Sequence, residues 1–467
     1  MTTPTEPSPV PLDLTPGMIE DLGRQALDLV VRQVAALPEA PASDYRAAAE
    51  LSARVRRPPA DGPGDFAALL ETFRLAAGQG VDTSGPGYLA YFPAGGLVSA
   101  ALAELLAQVV NRFTGVAQTA PALVAMEESV LTWLATRFGL PPGAGGVVTT
   151  GASVATLSAV VAARHDRLGA EFGDGTLYAT EHTHYSLAKA AHLAGLPTGR
   201  VRVVPTTADL RMDPAAAAAM IEADRAAGLR PFLLAGTAGS TSTGTIDPLA
   251  GLAALAREQG LWFHVDAAYG GGFQLTERGR ALLAGIEDAD SLTFDPHKSL
   301  FLPYGTGVLL VRDPAALRAA HAGGGQYLQD LSPVEELPDY SQLGIELTRE
   351  YRGLRLWLPL HLHGVRAFAD ALDEKLDLTA LVYRELSANP RLEVPWPPDL
   401  TVLLFRLRDG DDERNRRFLA DVNATRRVYL SSTTVGGVFY LRMCVLSFRT
   451  GKERVEEALR IIEAAAR

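Results

Sequence analysis

Cysteine is almost absent from this sequence, with Cys444 the single example among 467 residues. A lone cysteine excludes a framework of intramolecular disulfides and is typical of a reducing compartment. The opening residues, MTTPTEPSPVPLDL, lack the charged and apolar segments that a secretory signal needs. No uninterrupted apolar stretch is long enough to span a bilayer. We therefore expect a cytoplasmic protein.

Positive charge is also scarce. The formal net charge is -11 at pH 7, and the sequence contains no long run of Lys and Arg. This excludes a general affinity for nucleic acid or an anionic membrane, because both reward clustered basic residues. Hydrophobic residues make up 47% of the chain and charged residues 21%, which is enough apolar material for a large core. The length allows two or three packed units.

The pattern of the chain changes near residue 145. Before that point, residues 1–16 predict an extended arm, helical patterns run from Met18 and over 66–77, and no strand pattern is convincing. After it, apolar runs alternate with helical segments. These runs cover 147–150, 177–180, 201–205, 232–239, 261–268, 291–295 and 307–313. Most are apolar throughout, which is typical of a parallel sheet covered by helices on both faces.

The last hundred residues predict a second, smaller α/β domain. A helix is expected over 357–376, strands over 401–407 and 438–446, and an amphipathic closing helix over 453–466. Between the two regions, the Gly-rich segment 321–330 predicts a loop.

Lys298 is the first candidate for chemistry. It stands in FDPHKSLFLPYGTG (294–307), directly after an apolar strand pattern, although lysines usually avoid apolar surroundings. At the carboxyl end of a sheet strand, a side chain faces the crevice where α/β proteins bind ligands. A nucleophilic amine is one interpretation, and a surface lysine just past a strand is the other.

Asp266 gives Lys298 a context. It ends the apolar run of HVDAAYGGGF (264–273), where a carboxylate is costly unless a cation faces it. Pyridoxal 5'-phosphate (PLP) supplies such a cation, because its pyridine nitrogen must stay protonated for the ring to accept electrons. Ala268 and the glycines after it leave room for a flat ring. Alone, Asp266 is also compatible with a metal ligand or a strand-end cap.

Further motifs complete a candidate PLP site. In TTGASVATL (149–157) a strand leads through Gly151 into a helix, so the N–H groups of Ala152 and Ser153 could hold a phosphate; an ordinary Ser N-cap is the alternative. In EHTHYSLAKAA (181–191), His182 or His184 could stack on the ring. The hydroxyl-rich GTAGSTSTGTID (236–247) offers hydrogen bonds, or is simply a polar turn.

The order of these motifs resembles the group II PLP-dependent amino-acid decarboxylases, the family of aromatic-L-amino-acid, histidine and glutamate decarboxylases. The resemblance covers roughly residues 15–467. It is most specific in HVDAAYGG and DPHK, and extends through PGYLAYFP (86–93), the segments 111–134 and 184–191, and DYSQLGIELTREYRGLRLW (339–357).

The resemblance implies the α/β fold-type I architecture of PLP-dependent transferases. That architecture has a mostly parallel seven-stranded sheet with flanking helices, an N-terminal helical flap and a small C-terminal α/β domain. It places the flap at residues 1–85, the PLP-binding domain at 86–355 and the small domain at 356–467. It also implies a homodimer whose active sites lie at the interface, with an amino acid as substrate and no metal.

The resemblance also assigns roles to residues. Lys298 matches the lysine that binds PLP covalently, Asp266 the partner of the ring nitrogen, and His184 the stacking histidine. The other cofactor contacts match Ala268 under the ring, Gly151, Ala152 and Ser153 in the phosphate turn, Thr241, and His297 near the phosphate. Tyr327, in the Gly-rich loop, matches the tyrosine that protonates Cα after CO2 leaves, so the catalytic set is Lys298, His184 and Tyr327.

The substrate pocket implied by the family contains Tyr91, Phe92, Pro93 and Gly115. Aromatic-amino-acid decarboxylases carry a bulky aromatic at the position of Gly115, which reaches across the dimer, so we expect a roomier or differently shaped pocket here. Ala94 and Ser299 also depart from the family pattern. The sequence shows no obvious basic anchor for an acidic substrate, which favours an aromatic or large apolar amino acid.

Decarboxylation of an L-amino acid to the amine and CO2 is the function this pattern predicts. Oxidative deamination to an aldehyde and retro-aldol cleavage are alternatives with the same cofactor, and Tyr327 argues against the aldehyde. A PLP-fold protein with a binding or regulatory role is a further alternative, which the set of Lys298, Asp266 and His184 disfavours.

Overall fold

The computed structural model describes residues 11–324 and 330–467. In chain order, the helices are α1 Pro16–Ala36, α2 Ala48–Val55, α3 Phe66–Ala77, α4 Val98–Val110, α5 Pro121–Arg137, α6 Ala152–Leu168, α7 Ser186–Leu193, α8 Pro214–Ala226, α9 Leu249–Gln259, α10 Glu277–Leu282, α11 Pro296–Ser299, α12 Pro314–His321, α13 Gly353–His363, α14 Val365–Ala388, α15 Asp412–Ala424 and α16 Lys452–Ala465. The strands are β1 Ser43–Asp44, β2 Gly80–Val81, β3 Gly145–Thr149, β4 Gly175–Ala179, β5 Val201–Val203, β6 Arg230–Thr237, β7 Trp262–Asp266, β8 Ser291–Phe294, β9 Gly307–Val311, β10 Leu392–Glu393, β11 Val402–Leu407, β12 Ser431–Val435 and β13 Val438–Cys444. No helix in the described ranges has the length and apolar character to cross a membrane.

The large domain is built on a seven-stranded sheet in the order β3-β9-β8-β7-β6-β4-β5. All neighbouring pairs are parallel except those of β9, which runs antiparallel to both β3 and β8. Strands such as β4 and β9 are buried along their whole length, because helices cover both faces of the sheet. The prediction of a mostly parallel seven-stranded sheet with flanking helices is confirmed.

Parallel strand direction brings the site together. The strands β3, β6, β7 and β8 point the same way, so their carboxyl ends lie along one edge of the sheet. Asp266, the last residue of β7, pairs in register with Thr237 of β6 and Thr293 of β8. The turns that follow these strands therefore converge on one crevice.

The small domain contains an antiparallel sheet in the order β10-β11-β13-β12, with its own apolar core under α14, α15 and α16. The segment 87–89, which leads into the large domain, is hydrogen-bonded to the small domain. The Tyr429 N–H donates to the Gly87 carbonyl at 2.9 Å, and the Leu89 N–H donates back to the Tyr429 carbonyl at 3.0 Å. The Cys444 N–H donates to the Leu89 carbonyl at 2.8 Å, so residues 87–89 lie along this sheet.

Two local features differ from the sequence-based expectations. The helix expected over 357–376 is divided into α13 and α14 at Gly364, whose φ of 73° ends the first helix. The N-terminal region contains the two-residue strands β1 and β2, which are too short for a periodic pattern. Of the extended arm predicted for residues 1–16, residues 1–10 lie outside the described ranges, and α1 begins at Pro16, where Thr15 caps the helix.

His264 is a buried histidine in the middle of the large sheet. It lies on β7, is 1% exposed, and its Nδ1 is 2.8 Å from the Ser291 Oγ, which also accepts a hydrogen bond from the Trp262 Nε1. Burial lowers the pKa of His264 to about 4, although the nearby Asp266 charge acts in the opposite direction. The folded protein therefore holds His264 neutral.

This burial predicts a loss of stability in acid. Because the pKa of His264 is lower in the folded than in the unfolded chain, the neutral form stabilises the fold above pH 6.5, and this contribution is lost as the pH falls toward 4. Between pH 7 and pH 5, urea titrations should show a free energy of unfolding that falls by about 2 kcal/mol more in the wild type than in His264→Gln. His361→Gln, at an exposed position, should follow the wild type. Equal losses in wild type and His264→Gln would contradict this account.

Candidate active site

A cleft of about 250 Å³ opens at the carboxyl edge of the large sheet. All the residues for which the sequence predicts cofactor contacts line it, namely Gly151, Ala152, Ser153, His184, Thr241, Asp266, Ala268, His297 and Lys298. Thr150, Val154 and Asp295 complete the lining. These residues come from five separate turns, so the fold and not the local sequence brings them together.

Lys298 is the lysine that faces this cleft. It lies in the short helix α11, just after β8, and its Nζ is 3.0 Å from the Asp295 Oδ2 and 5.4 Å from the centre of the Phe92 ring. The other lysines of the chain are Lys189, Lys375 and Lys452, none of which lines the cleft. If a carbonyl compound binds covalently to an amine here, Lys298 is the amine within reach.

Asp266 presents a carboxylate to the same space. Its Oδ1 accepts hydrogen bonds from the Ala268 N–H at 3.1 Å and from the Thr293 Oγ1 at 3.3 Å. These bonds fix the carboxylate at the end of β7, and within the described residues its Oδ2 has no hydrogen bond. A cationic ring nitrogen is a suitable partner for that oxygen.

His184, and not His182, lines the cleft. The Ser186 N–H donates to the Nδ1 of His184 at 3.2 Å, and the Ser186 Oγ is 2.8 Å from the same atom. Burial lowers the pKa of His184, outweighing the opposite effect of the Asp266 charge. The imidazole is therefore neutral near pH 7, with its proton on Nε2, and can cover a flat ring without adding charge.

The phosphate turn leads into the N-terminus of α6. There the Ala152 N–H donates to the Asp295 Oδ1 at 2.7 Å, and Ser153 is exposed to solvent. His297 donates from Nδ1 to the Thr306 carbonyl at 2.7 Å, which directs its Nε2 toward Asp295. Burial lowers the pKa of His297. The N-terminus of α6 is a place for an anion, and His297 lies beside it.

Arg442 is a residue that the sequence-based reasoning missed. It is 2% exposed, its Nε donates to the Thr241 carbonyl and its Nη1 to the Tyr91 carbonyl, both at 3.0 Å. Its guanidinium lies 4.7 Å from the centre of the Phe92 ring. An arginine inside the apolar strand pattern VFYLRMCVL was the available signal. Asp295 was also missed, although it ends an apolar run just as Asp266 does.

The predicted substrate-pocket residues are placed in two locations. Tyr91 is 59% exposed, and Phe92 stacks on Tyr269 with a centre-to-centre distance of 4.2 Å; Pro93 beside them is buried. Gly115 does not line the cleft of its own chain; its carbonyl accepts from the Ser341 N–H at 2.9 Å. Tyr327 lies outside the described residues.

The residues of the cleft fit PLP. Lys298 offers an amine for the aldehyde, Asp266 a carboxylate for the ring nitrogen, and the start of α6 a place for phosphate, while His184 and Ala268 line the same cleft. When bound, PLP accepts the electrons left on a substrate carbon as one of its bonds breaks. Within the described residues, no group of three or more His, Cys, Asp and Glu is arranged to hold a metal ion.

Comparison with known proteins agrees with this chemistry. Residues 59–408 match the model of the pyridoxal-dependent decarboxylase conserved domain. An aromatic-L-amino-acid decarboxylase from Bacillus atrophaeus is 30% identical over 464 residues, 97% of each chain. A tyrosine decarboxylase from Oryza sativa subsp. japonica is 33% identical over 95% of this chain and 90% of its own. A phenylacetaldehyde synthase from Arabidopsis thaliana is 30% identical over 87% of each chain.

Solved structures give the same result. The structure of Oryza sativa TDC with PLP and tryptamine superposes with a TM-score of 0.92 at 27% identity, and the match covers 97% of this chain and 98% of the other. The family match covers about three quarters of the chain, the Bacillus atrophaeus relative covers 97% of it, and the cleft fits the cofactor that the family name states. This chain therefore belongs to the group II pyridoxal-dependent decarboxylases, carboxy-lyases that act on amino acids with PLP as cofactor.

Proposed function

We propose that this enzyme removes the α-carboxylate of an aromatic L-amino acid as CO2 and releases the arylalkylamine. The observation that carries the proposal is the placement of Phe92, whose ring centre lies 5.4 Å from the Lys298 Nζ and forms an aromatic wall next to the reactive amine. The relatives named as aromatic-L-amino-acid and tyrosine decarboxylases support the same substrate class. Arg442, the basic group nearest this wall, is covered by Phe92 and bound to backbone carbonyls, so it offers little to an acidic side chain.

The chain's own residues have distinct parts in this proposal. With PLP bound, the Asp266 carboxylate would hold a proton on the ring nitrogen, and neutral His184 would cover one face of the ring and exclude water from it. As the bond between Cα and the carboxylate breaks, CO2 leaves and Cα requires one proton. We assign its delivery to Tyr327, in agreement with the family resemblance.

The substrate class can be tested directly. Purified enzyme with PLP, incubated with a panel of L-amino acids, should convert Phe, Tyr or Trp to the corresponding amine at least tenfold faster than Leu, Glu or Ser, as judged by mass spectrometry of the products. The amount of CO2 released should equal the amount of amine formed. A preference for Glu would contradict the aromatic substrate class but not the assignment of the cofactor. Retro-aldol products from hydroxy amino acids would show that the enzyme catalyses that reaction instead of decarboxylation. The absence of turnover with every amino acid would favour a binding or regulatory role.

The role of Tyr327 can be tested by removing its hydroxyl. Tyr327→Phe keeps the ring and leaves Lys298 and Asp266 unchanged, so PLP should bind as in the wild type. Amine formation should fall by about 10²–10⁴-fold, the usual contribution of a positioned acid. With O2 as oxidant, aldehyde, ammonia and hydrogen peroxide should then replace part of the amine.

Two results would contradict this role. Unchanged amine output from Tyr327→Phe without aldehyde would assign the proton to another group, such as His184. A wild-type enzyme that makes mainly aldehyde would place the protein with relatives such as the phenylacetaldehyde synthase. Tyr45→Phe, at an exposed tyrosine outside the cleft lining, serves as the control.

We further propose that the enzyme acts as a homodimer. The helix α4 leaves a row of apolar side chains exposed: Leu102, Leu105, Leu106, Val109 and Val110. Exposed apolar surface of this extent is typical of a protein interface. Leu347, also exposed, lies close to Gly115, since a Cβ on Gly115 would be 2.6 Å from the Leu347 carbonyl oxygen. This placement supports a role for the segment around Gly115 in the partner's pocket.

Charge on α4 should disrupt this assembly. The double substitution Leu105→Asp and Val109→Asp places two carboxylates in the proposed interface, so sedimentation at micromolar concentration should show a monomer with little activity. Leu193→Asp, at the exposed end of α7, should remain a dimer with full activity. A wild-type protein that sediments as a fully active monomer would contradict the proposal.

A further inference from the structure

The strand β8 is followed by a buried carboxylate that the chemistry described so far does not use. Asp295 is 2% exposed and contacts three groups at the floor of the cleft. Its Oδ1 accepts from the Ala152 N–H at 2.7 Å, and its Oδ2 lies 3.0 Å from the Lys298 Nζ and 3.6 Å from the His297 Nε2.

These contacts engage groups that PLP itself requires. The Ala152 N–H is at the start of the 17-residue helix α6, where backbone donors and the helix dipole favour an anion. The Lys298 amine is the covalent attachment point for the cofactor. A carboxylate bound to both is therefore an internal anion placed where the phosphate turn would hold an external one.

The charges of the groups in the site determine how strongly it attracts an anion. Asp295 and Lys298 form a pair of opposite charges, while His297 donates from Nδ1 to the Thr306 carbonyl and burial lowers its pKa, which keeps it neutral near pH 7. The pair as a whole thus offers a phosphate dianion no net positive charge. Coulomb interactions over such distances are strong in a poorly solvated cleft.

We propose that Asp295 is a built-in competitor of the cofactor's phosphate group. It shares the Ala152 N–H and the Lys298 ammonium with any anion that enters, so PLP must displace it from one or both. Its carboxylate thereby weakens cofactor binding, while it keeps the cleft lysine paired. In this role Asp295 is a positioning residue that sets the affinity of the site for the cofactor.

Inorganic phosphate is the sharpest probe, because it cannot react with Lys298. Calorimetric titration of the PLP-depleted full-length enzyme, in a phosphate-free buffer at pH 7.5, should show Asp295→Asn binding phosphate about tenfold tighter than the wild type, as removal of one nearby charge predicts. The dissociation constant for PLP, from the change in protein fluorescence, should fall in the same direction. Asp290→Asn is the matched control, since Asp290 lies at the other end of β8 and accepts the Phe263 N–H at 2.8 Å. It should bind phosphate like the wild type.

A second pair of variants separates competition from simple loss of charge. Lys298→Ala leaves Asp295 without its ammonium partner and should bind phosphate more weakly than the wild type. Adding Asp295→Asn to Lys298→Ala should restore at least tenfold of that affinity. If Asp295→Asn binds phosphate equally well or more weakly in both backgrounds, Asp295 assists the anion and the proposal is wrong. Should Asp295→Asn fail to fold, as judged by circular dichroism, Asp295→Ser provides the same comparison with a smaller neutral side chain.

Discussion

The Asp266 carboxylate lies at the carboxyl end of an apolar strand, where its charge is costly unless a cation faces it. The Ala268 N–H and the Thr293 hydroxyl hold one of its oxygens, and neighbouring strands fix its direction. A protonated ring nitrogen of bound PLP would satisfy the other oxygen. The Lys298 amine, the His184 ring and the start of α6 line the same cleft as this carboxylate.

Two domains contribute to this arrangement. The carboxyl edge of the large sheet supplies the groups that hold PLP, whereas the small domain holds the segment with the aromatic wall. Arg442 links the two, because its guanidinium donates to the carbonyls of both Thr241 and Tyr91. A shift of the small domain would therefore move the segment that carries Tyr91 and Phe92 together with the turn that carries Thr241.

Much of this organisation could be predicted from the sequence, for identifiable reasons. Fully buried parallel strands produce continuous apolar runs, and the polar residues that end such runs, including Asp266, marked the edge where the site lies. Other features depend on distant parts of the chain. Apolar runs do not reveal strand direction, so the antiparallel β9 was not foreseen, and the contacts of Asp295 and Arg442 join segments separated by more than a hundred residues. The domain boundaries, the role of Tyr327 and the cytoplasmic location stay predictions.

The central claim is that Lys298 is the amine that carries PLP. Because the chain contains four lysines, this claim can be tested directly. The holoenzyme can be reduced with borohydride, digested, and mapped by mass spectrometry for the pyridoxyl group that reduction fixes to lysine. The account predicts the modification on Lys298, at close to one group per chain, with Lys189, Lys375 and Lys452 unmodified. A pyridoxyl group on any of these other lysines at that stoichiometry, or a Lys298→Ala protein that still acquires one, would contradict it.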